Sequence, residues 1–113
     1  MATYYNLPVY KESYDLLIEL FKLTKEFSRE YKYTIGETIK NETIQMIVKI
    51  YKANSSFNKK EHIGAARENL EIIRLMVRLL KDLKQINVSK FSSLNERIET
   101  LSKQLTAWQN AQT

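Results

Sequence analysis

The amino-acid sequence predicts an all-α fold, an antiparallel up-down-up-down four-helix bundle. Only two glycines and one proline occur among 113 residues, so little interrupts helices and few residues suit the turns of a sheet. Apolar residues recur every three or four positions along four long segments, as on one face of a helix. The joints between those segments are short and polar, which places consecutive helices antiparallel. We expect a single domain over residues 1–113, with an N-terminal arm at 1–8 and a frayed tail at 109–113.

The first two helices each begin at a start signal. The first is predicted from about Val9 to Arg29, because a proline at position 8 suits a first helical turn, and a joint at 30–33 follows it. The second is predicted from about Ile35 to Ala53, where Thr34 followed by Glu37 has the pattern of a capping box. Many β-branched residues make a strand the local alternative, but the length and the spacing favour a helix.

The third predicted helix, from about Lys59 to Gln85, is the longest. Asn58 and Glu61 again have the spacing of a cap and its partner. The apolar residues of this helix span about twice the ~100° arc that a helix on one small core needs, which indicates partners on two sides. They are Ala66, Leu70, Ile72, Ile73, Leu75, Met76, Val77, Leu79, Leu80 and Leu83.

The fourth predicted helix has an apolar seam on one side and polar side chains elsewhere. The gaps between seam residues alternate between three and four, as in an a/d pattern. The seam consists of Phe91, Leu94, Ile98, Leu101, Leu105 and Trp108. Because only one side is apolar, we expect this helix to lie on the outside of the bundle, after a joint at Asn87–Ser89.

A basic strip on the third helix is the main candidate for a functional site. Its members are Lys60, Arg67, Arg74, Arg78, Lys81 and Lys84. All but Lys84 fall, with Glu71, within about 80° of one another around the helix. Arg67 and Arg74 are spaced to pair with Glu71, as on an ordinary solvated face. That pairing does not account for the whole end of the strip, where only Asp82 is acidic among Arg74, Arg78, Lys81 and Lys84. We therefore favour contact with a polyanion, whose phosphate oxygens arginine binds bidentately.

A second basic cluster lies where the first helix ends and consists of Lys22, Lys25, Arg29 and Lys32. Cations at that position also complement the helix dipole, so a structural role is at least as well supported. Tyr31 and Tyr33 flank Lys32 and are candidates to stack on unpaired bases. The remaining large aromatics on apolar stripes are expected in the core or at an interface: Tyr14, Phe21, Phe27, Phe91 and Trp108.

The sequence carries no pattern typical of catalysis or metal binding. His62 is the only histidine, and with Lys60 and Glu61 beside it we expect a solvated side chain. There is no cysteine for a disulfide or a thiolate site, and no Glu-x-x-His pair of the kind that holds two metals in a bundle. We therefore expect no enzyme activity, no metal, no cofactor and no small-molecule substrate.

The overall charge favours an anionic partner. The net charge is +5 and the pI is about 9.4, as in many proteins that bind nucleic acid. No apolar run reaches the length of a membrane span, the N-terminus lacks a secretory h-region, and cysteine is absent, which together predict a cytoplasmic protein. A membrane-surface protein is the weaker alternative, because the apolar residues suffice to make a closed core.

Two stretches resemble the Avd-like four-helix-bundle family, the accessory variability determinants of diversity-generating retroelements. Residues 27–36, FSREYKYTIG, resemble that family's joint between helices one and two, and residues 73–84, IRLMVRLLKDLK, resemble its long third helix. Trp108 matches a C-terminal tryptophan, so the resemblance covers about 16–108. The chain departs at Ser28 and Lys32, where the family often has proline and arginine, and at Thr106 and Ala107, where it has glycines. A related branch is encoded by intervening sequences in bacterial ribosomal RNA genes.

The resemblance implies a bacterial or phage protein that forms a five-subunit ring with a nucleic-acid-binding surface. In the Avd branch, the ring associates with a reverse transcriptase and supports mutagenic copying of a template RNA into cDNA. By position, the family's basic residues correspond to Arg74, Arg78, Lys81 and Lys84, with Arg29 and Lys32 at the joint.

The sequence thus predicts a non-enzymatic, homo-oligomeric accessory protein, a pentameric ring that binds RNA or DNA without sequence specificity and assists a reverse transcriptase. The alternative is a ring-forming protein–protein interaction module with no nucleic-acid role, in which the basic strip contacts an acidic protein. The predicted nucleic-acid-binding residues are Lys60, Arg67, Arg74, Arg78, Lys81, Lys84, Arg29 and Lys32.

Overall fold

Four long helices and one single-turn helix form the protein in the computed structural model, which describes residue 3 and residues 6–112. The helices are α1 (Pro8–Thr24), α2 (Arg29–Lys32), α3 (Ile35–Ser55), α4 (Lys59–Asp82) and α5 (Val88–Asn110). No strand occurs in this described part of the chain. The long helices form an elongated bundle of 44 × 22 × 21 Å, which confirms the predicted fold class.

Side-chain pairs between neighbouring helices show that the bundle is antiparallel. Between α1 and α5, Glu12 pairs with Arg97 and Glu19 pairs with Lys90. A later residue of α1 thus meets an earlier residue of α5, so the two helices run in opposite directions. The long helices follow one another around the bundle in the order α1, α3, α4, α5 and back to α1. One end, called here the terminal end, holds the start of α1, the α3–α4 joint and the end of α5. The other, called the basic end, holds the joints at 25–34 and 83–87.

The core draws fully buried aliphatic side chains from all four long helices. They are Leu16, Leu20, Ile39, Met46, Ile50, Ile63, Leu70, Ile73, Leu80, Leu94, Ile98 and Leu101. Each such side chain contributes about 1.5–3 kcal/mol by leaving water. The predicted seam of α5 is therefore confirmed in its middle, while Phe91 and Trp108 pack at the edge of the core and remain partly exposed.

The first predicted helix is too long, and the predicted joint contains a helix of its own. The chain leaves α1 after Thr24 in two tight turns. The amide of Glu26 donates to the carbonyl of Leu23 at 3.0 Å, and the amide of Phe27 donates to the carbonyl of Thr24 at 3.2 Å. This bend turns the Phe27 ring into the core, where it is buried. The single-turn helix α2 follows at Arg29–Lys32, where sequence reasoning placed an irregular joint.

The third predicted helix also ends early, at Asp82 rather than Gln85. The amide of Gln85 donates to the carbonyl of Leu80 at 2.9 Å, and the amide of Lys84 donates to that of Lys81 at 3.0 Å. These two bonds form a Schellman motif, which needs a left-handed residue and usually uses glycine. Lys84 takes that conformation, with φ of 62°. It therefore lies beyond the helix that was predicted to carry it.

Neither predicted capping box forms. The hydroxyl of Thr34 donates to the carbonyl of Glu30 at 2.9 Å, because α2 brings that carbonyl within reach. The side chain of Asn58 makes no cap, and the Nζ of Lys59 instead closes the end of α3 by donating to two carbonyls at 2.9 Å each. The predicted proline start of α1 is confirmed, since Pro8 is its first residue.

Gln109, the first residue of the tail that was predicted to fray, lies within α5. Its Nε2 donates to the carbonyl of Lys60 at 3.0 Å, and its Oε1 accepts from Arg67 at 2.5 Å, so this side chain ties the end of α5 to the start of α4. Of the predicted N-terminal arm and tail, residues 1, 2, 4, 5 and 113 lie outside the described part. No described helix combines the length and apolar character that crossing a bilayer requires.

Candidate nucleic-acid interface

The basic strip lies along the groove between α4 and α5. Arg67 donates to Gln109, Arg74 donates to Glu99, and the Nζ of Lys81 lies 4.6 Å from the centroid of the Phe91 ring. All three partners belong to α5. The strip therefore borders a second helix along most of its length instead of standing alone in solvent.

In the middle of the strip, carboxylates balance the positive charge of the arginine. Arg74 forms ion pairs with Glu99 and, at 3.4 Å, with Glu71. Burial alone would lower the pKa of Arg74, but hydrogen bonds and Coulombic attraction from the two carboxylates outweigh it and raise that pKa. Glu99 is the partner that sequence reasoning missed, because only the antiparallel register of α4 and α5 brings it opposite Arg74.

Arg78 remains much more available than Arg74. Among the described residues its ion-pair partner is Asp82, at 3.9 Å, and its side chain is 73% exposed. Charge pairs this open to solvent contribute little and are easily exchanged. Arg78 can therefore take an external anion at small cost.

A contact between two joints gathers the free cations at the basic end. The backbone amide and the hydroxyl of Ser28 both donate to Oε1 of Gln85, at 2.8 and 2.9 Å. This contact sets the joint that carries Arg29 and Lys32 against the joint that carries Lys84. Within the described residues, no carboxylate lies at ion-pair distance from any of these three cations.

The remaining strip residues lie apart from that group. Lys60 is exposed in the first turn of α4, and Arg67 lies two turns further on, held by Gln109. Both are nearer the terminal end. The eight predicted binding residues thus fall into four sets. Arg29, Lys32 and Lys84 are free cations at the basic end, and Arg78 and Lys81 lie near that end on α4. Arg74 is compensated, and Lys60 and Arg67 form a separate pair.

An apolar face covers the opposite side of the bundle. It consists of Tyr14, Ile18 and Phe21 of α1 and Ile44, Val48 and Tyr51 of α3, all of them exposed. The Nζ of Lys40 lies 4.8 Å from the centroid of the Phe21 ring, which sets the two rows side by side. On α4, Ile72 and Leu75 are exposed too, so its apolar arc extends beyond the core as its width indicates.

Of the two candidate stacking tyrosines, Tyr33 is 66% exposed and Tyr31 is half-buried. His62 is half-buried near the start of α4. In the described part of the chain, no three acidic or histidine side chains gather in a way that would hold a metal ion.

These features define an elongated all-α bundle with a basic end and an apolar long face. The chain belongs to the bAvd-like family, whose model matches residues 8–112. The fold is similar to a crystal structure from Bacteroides thetaiotaomicron VPI-5482, described as a protein with unknown function from the S23 ribosomal protein family. The two chains share 16% identity with a TM-score of 0.83, over 91% of this chain and 96% of the other. A comparison with proteins of curated function gives no significant match.

Proposed function

We propose that this protein is a non-enzymatic, self-assembling accessory protein that binds nucleic acid beside a retroelement reverse transcriptase. The observation that carries the nucleic-acid part is the Ser28–Gln85 contact, which gathers Arg29, Lys32 and Lys84 at one end of the bundle. Lys81 lies at the end of α4 that leads there, and Arg78 lies one turn before it.

The mechanism is electrostatic. Cations without carboxylate partners retain their full attraction for phosphate, and each phosphate that they neutralise releases condensed counterions. Arg74 contributes little, because Glu71 and Glu99 already balance its charge. Non-specific binding is expected, since neither joint at the basic end presents an element that would enter a groove to read base edges.

The apolar face supports self-association. Contiguous exposed apolar surface on a small protein commonly marks an interaction site, and here it includes three aromatic rings, Tyr14, Phe21 and Tyr51. A cyclic assembly presents equivalent surfaces of every copy toward the same side. A ring of five, the number implied by the family resemblance, would repeat the basic end five times and multiply the phosphate contacts. The reverse-transcriptase role rests on family membership.

The test is a fluorescence-anisotropy titration against structured RNA and duplex DNA over a salt series. We expect log affinity to fall linearly with log salt, with a slope equivalent to several phosphates. The double variant Arg29→Glu/Lys84→Glu should lose most of the affinity. The matched control Lys52→Glu/Lys103→Glu changes the same net charge at exposed helix positions and should lose much less.

Light scattering on the same samples separates the two candidate functions. The proposal expects the charge-reversed variant to keep its oligomeric state while it loses nucleic acid. Absence of binding by the unaltered protein at low salt would favour the alternative, a protein–protein interaction module. The apolar face supports that alternative, because such a surface is typical of a protein-binding site whether or not the protein binds nucleic acid.

A further inference from the structure

A groove between α4 and α5 lies next to the basic end. Its walls are Leu75 and Arg78 on α4 and Phe91 and Asn95 on α5, with Glu71 and Arg74 at its far end. Its volume is about 430 Å³, within the roughly 300–1,000 Å³ that ligand sites occupy. The proposed binding of phosphates uses Arg78 at the rim of this groove but not its apolar walls, Leu75 and Phe91.

We propose that the groove holds an unpaired nucleobase of a single strand whose phosphates are bound at the basic end. The inference rests on the proposed function and adds to it a preference for single-stranded over duplex nucleic acid. Bases in a duplex are stacked and paired, so a groove on the protein surface can receive only a base that is free of its partner.

The groove offers apolar surface of the kind that a base covers. Leu75 is 60% exposed although it lies in the middle of α4, and Phe91 leaves part of its ring outside the core. The ammonium of Lys81 lies 4.6 Å from the centroid of that ring, a cation–π contact that holds the lysine beside the groove. A base between Leu75 and Phe91 would remove both from water.

The polar groups of the groove match a nucleotide. The half-buried amide of Asn95 makes no hydrogen bond with any described residue and can both donate to and accept from a base edge. The guanidinium of Arg78 is exposed and weakly paired, and it stands at the same rim. Glu71, the carboxylate in the groove, is engaged by Arg74 and so repels a phosphate less than a free carboxylate would.

The order of the cations fits a strand that enters from the basic end. Lys84 lies on the joint just past α4, and Lys81 and Arg78 lie on the last turns of α4, so the positive groups lead from the joint into the groove. An apolar peptide would leave this charge unused. A polyanion with apolar, hydrogen-bonding side groups uses both the charge and the groove.

The variant Phe91→Leu tests the proposal, because leucine keeps an apolar side chain at the core edge but removes the aromatic face. We expect about a tenfold loss of affinity for an unstructured twenty-nucleotide single strand, as for the loss of one stacked base. Affinity for a duplex with the same number of phosphates should change less than twofold. Phe57→Leu is the matched control, since that phenylalanine is fully exposed at the terminal end and should alter neither affinity.

A second variant distinguishes loss of the base site from misfolding of the protein. Leu75→Ser changes an exposed position that the core does not need, and it should weaken single-strand binding several-fold. A strand carrying 2-aminopurine gives a direct readout: its fluorescence should be quenched on binding to the unaltered protein and much less on binding to Phe91→Leu.

Other outcomes would overturn the inference. If single strand and duplex bind equally and both groove variants behave like the unaltered protein, the base site is wrong, while a loss caused by Arg29→Glu/Lys84→Glu would still uphold the proposed function. Another outcome concerns poly-glutamate. If it displaces the single strand at equal charge concentration, and if Phe91→Leu weakens the binding of poly-glutamate as well, the groove is a peptide site. If no nucleic acid binds at low salt, both proposals fail together.

Discussion

Oε1 of Gln85 accepts two hydrogen bonds from Ser28, one from the backbone amide at 2.8 Å and one from the hydroxyl at 2.9 Å. The two residues are 57 positions apart. Nε2 of Gln85 donates to the carbonyl of Leu83 at 3.1 Å, so the glutamine is fixed on its own joint while it holds the other. This one side chain therefore links the two joints of the basic end, in addition to the burial of Phe27 and Ile86 in the core.

Replacing Gln85 by alanine should destabilise the fold and weaken polyanion binding. Loss of the two hydrogen bonds that join Gln85 to Ser28 predicts a decrease of about 1–2 kcal/mol in the free energy of unfolding, measured by urea denaturation. The joint that carries Arg29 would lose its anchor, so affinity should fall as well. Gln45→Ala, at an exposed position of α3, should change neither quantity. Equal behaviour of the two variants would show that the contact does not organise this end.

Lys84→Gly should make the protein more stable and its nucleic-acid binding weaker. Glycine takes a positive φ without the steric cost of about 1 kcal/mol that a side chain meets there, so thermal unfolding should move to higher temperature. Loss of the cation should reduce the salt slope by about one phosphate. Lys84→Ala removes the same charge without relieving the strain. It should reduce the salt slope without raising the stability. A rise in stability as large as that of Lys84→Gly would refute the role of the backbone conformation.

Glu99→Gln should strengthen polyanion binding. The neutral amide can still accept a hydrogen bond from Arg74 but no longer balances its charge, so the salt slope of anisotropy titrations should steepen by up to about one phosphate. Glu96→Gln changes the net charge equally at an exposed position of the same helix. Its effect should be clearly smaller. An equal gain from both variants would mean that net charge, and not the release of Arg74, controls affinity.

Asn69→Ala should destabilise the pairing of α3 with α4. Asn69 is buried between these helices, where Oδ1 accepts from Lys49 at 2.7 Å and Nδ2 donates to Glu42 at 2.9 Å. Removing a buried amide that joins two charged groups predicts a loss of about 1–3 kcal/mol in urea denaturation. Asn41→Ala on the exposed side of α3 is the control and should stay within about 0.5 kcal/mol. A harmless Asn69→Ala would show that Lys49 and Glu42 are equally well satisfied without it.

The four long helices could be predicted because each carries a complete local signal. The a/d spacing from Leu94 to Leu105 places every buried residue of α5 on one side, and the same reasoning applies to the stripes of α1, α3 and α4. The predicted helix ends were less accurate, because ends are set by contacts with distant residues. α1 stops at Thr24 and the chain bends so that Phe27 is buried in the core. α4 stops at Asp82, and the joint that follows it is held to Ser28 by Gln85.

The candidate site could be predicted as a set of residues but not as an arrangement. The helical spacing of Arg74, Arg78 and Lys81 places them on one side of α4. It does not reveal that Glu99 balances Arg74, since that carboxylate lies 25 positions away and reaches it only through packing of α5. The apolar face is also divided between two helices, α1 and α3. Because each half alone resembles an ordinary core stripe, the sequence does not show that the two halves form one exposed face.

The sequence by itself determined the helical class, the antiparallel order and the chemistry of the strip, because these follow from periodicity, short joints and residue type. Only the tertiary structure decided which charges stay free. A cation is available to a phosphate only if no carboxylate of another helix lies beside it, and that depends on register between segments far apart in the chain. Arg74 and Lys84 have the same sign of charge in the sequence, yet packing leaves the first balanced and the second free.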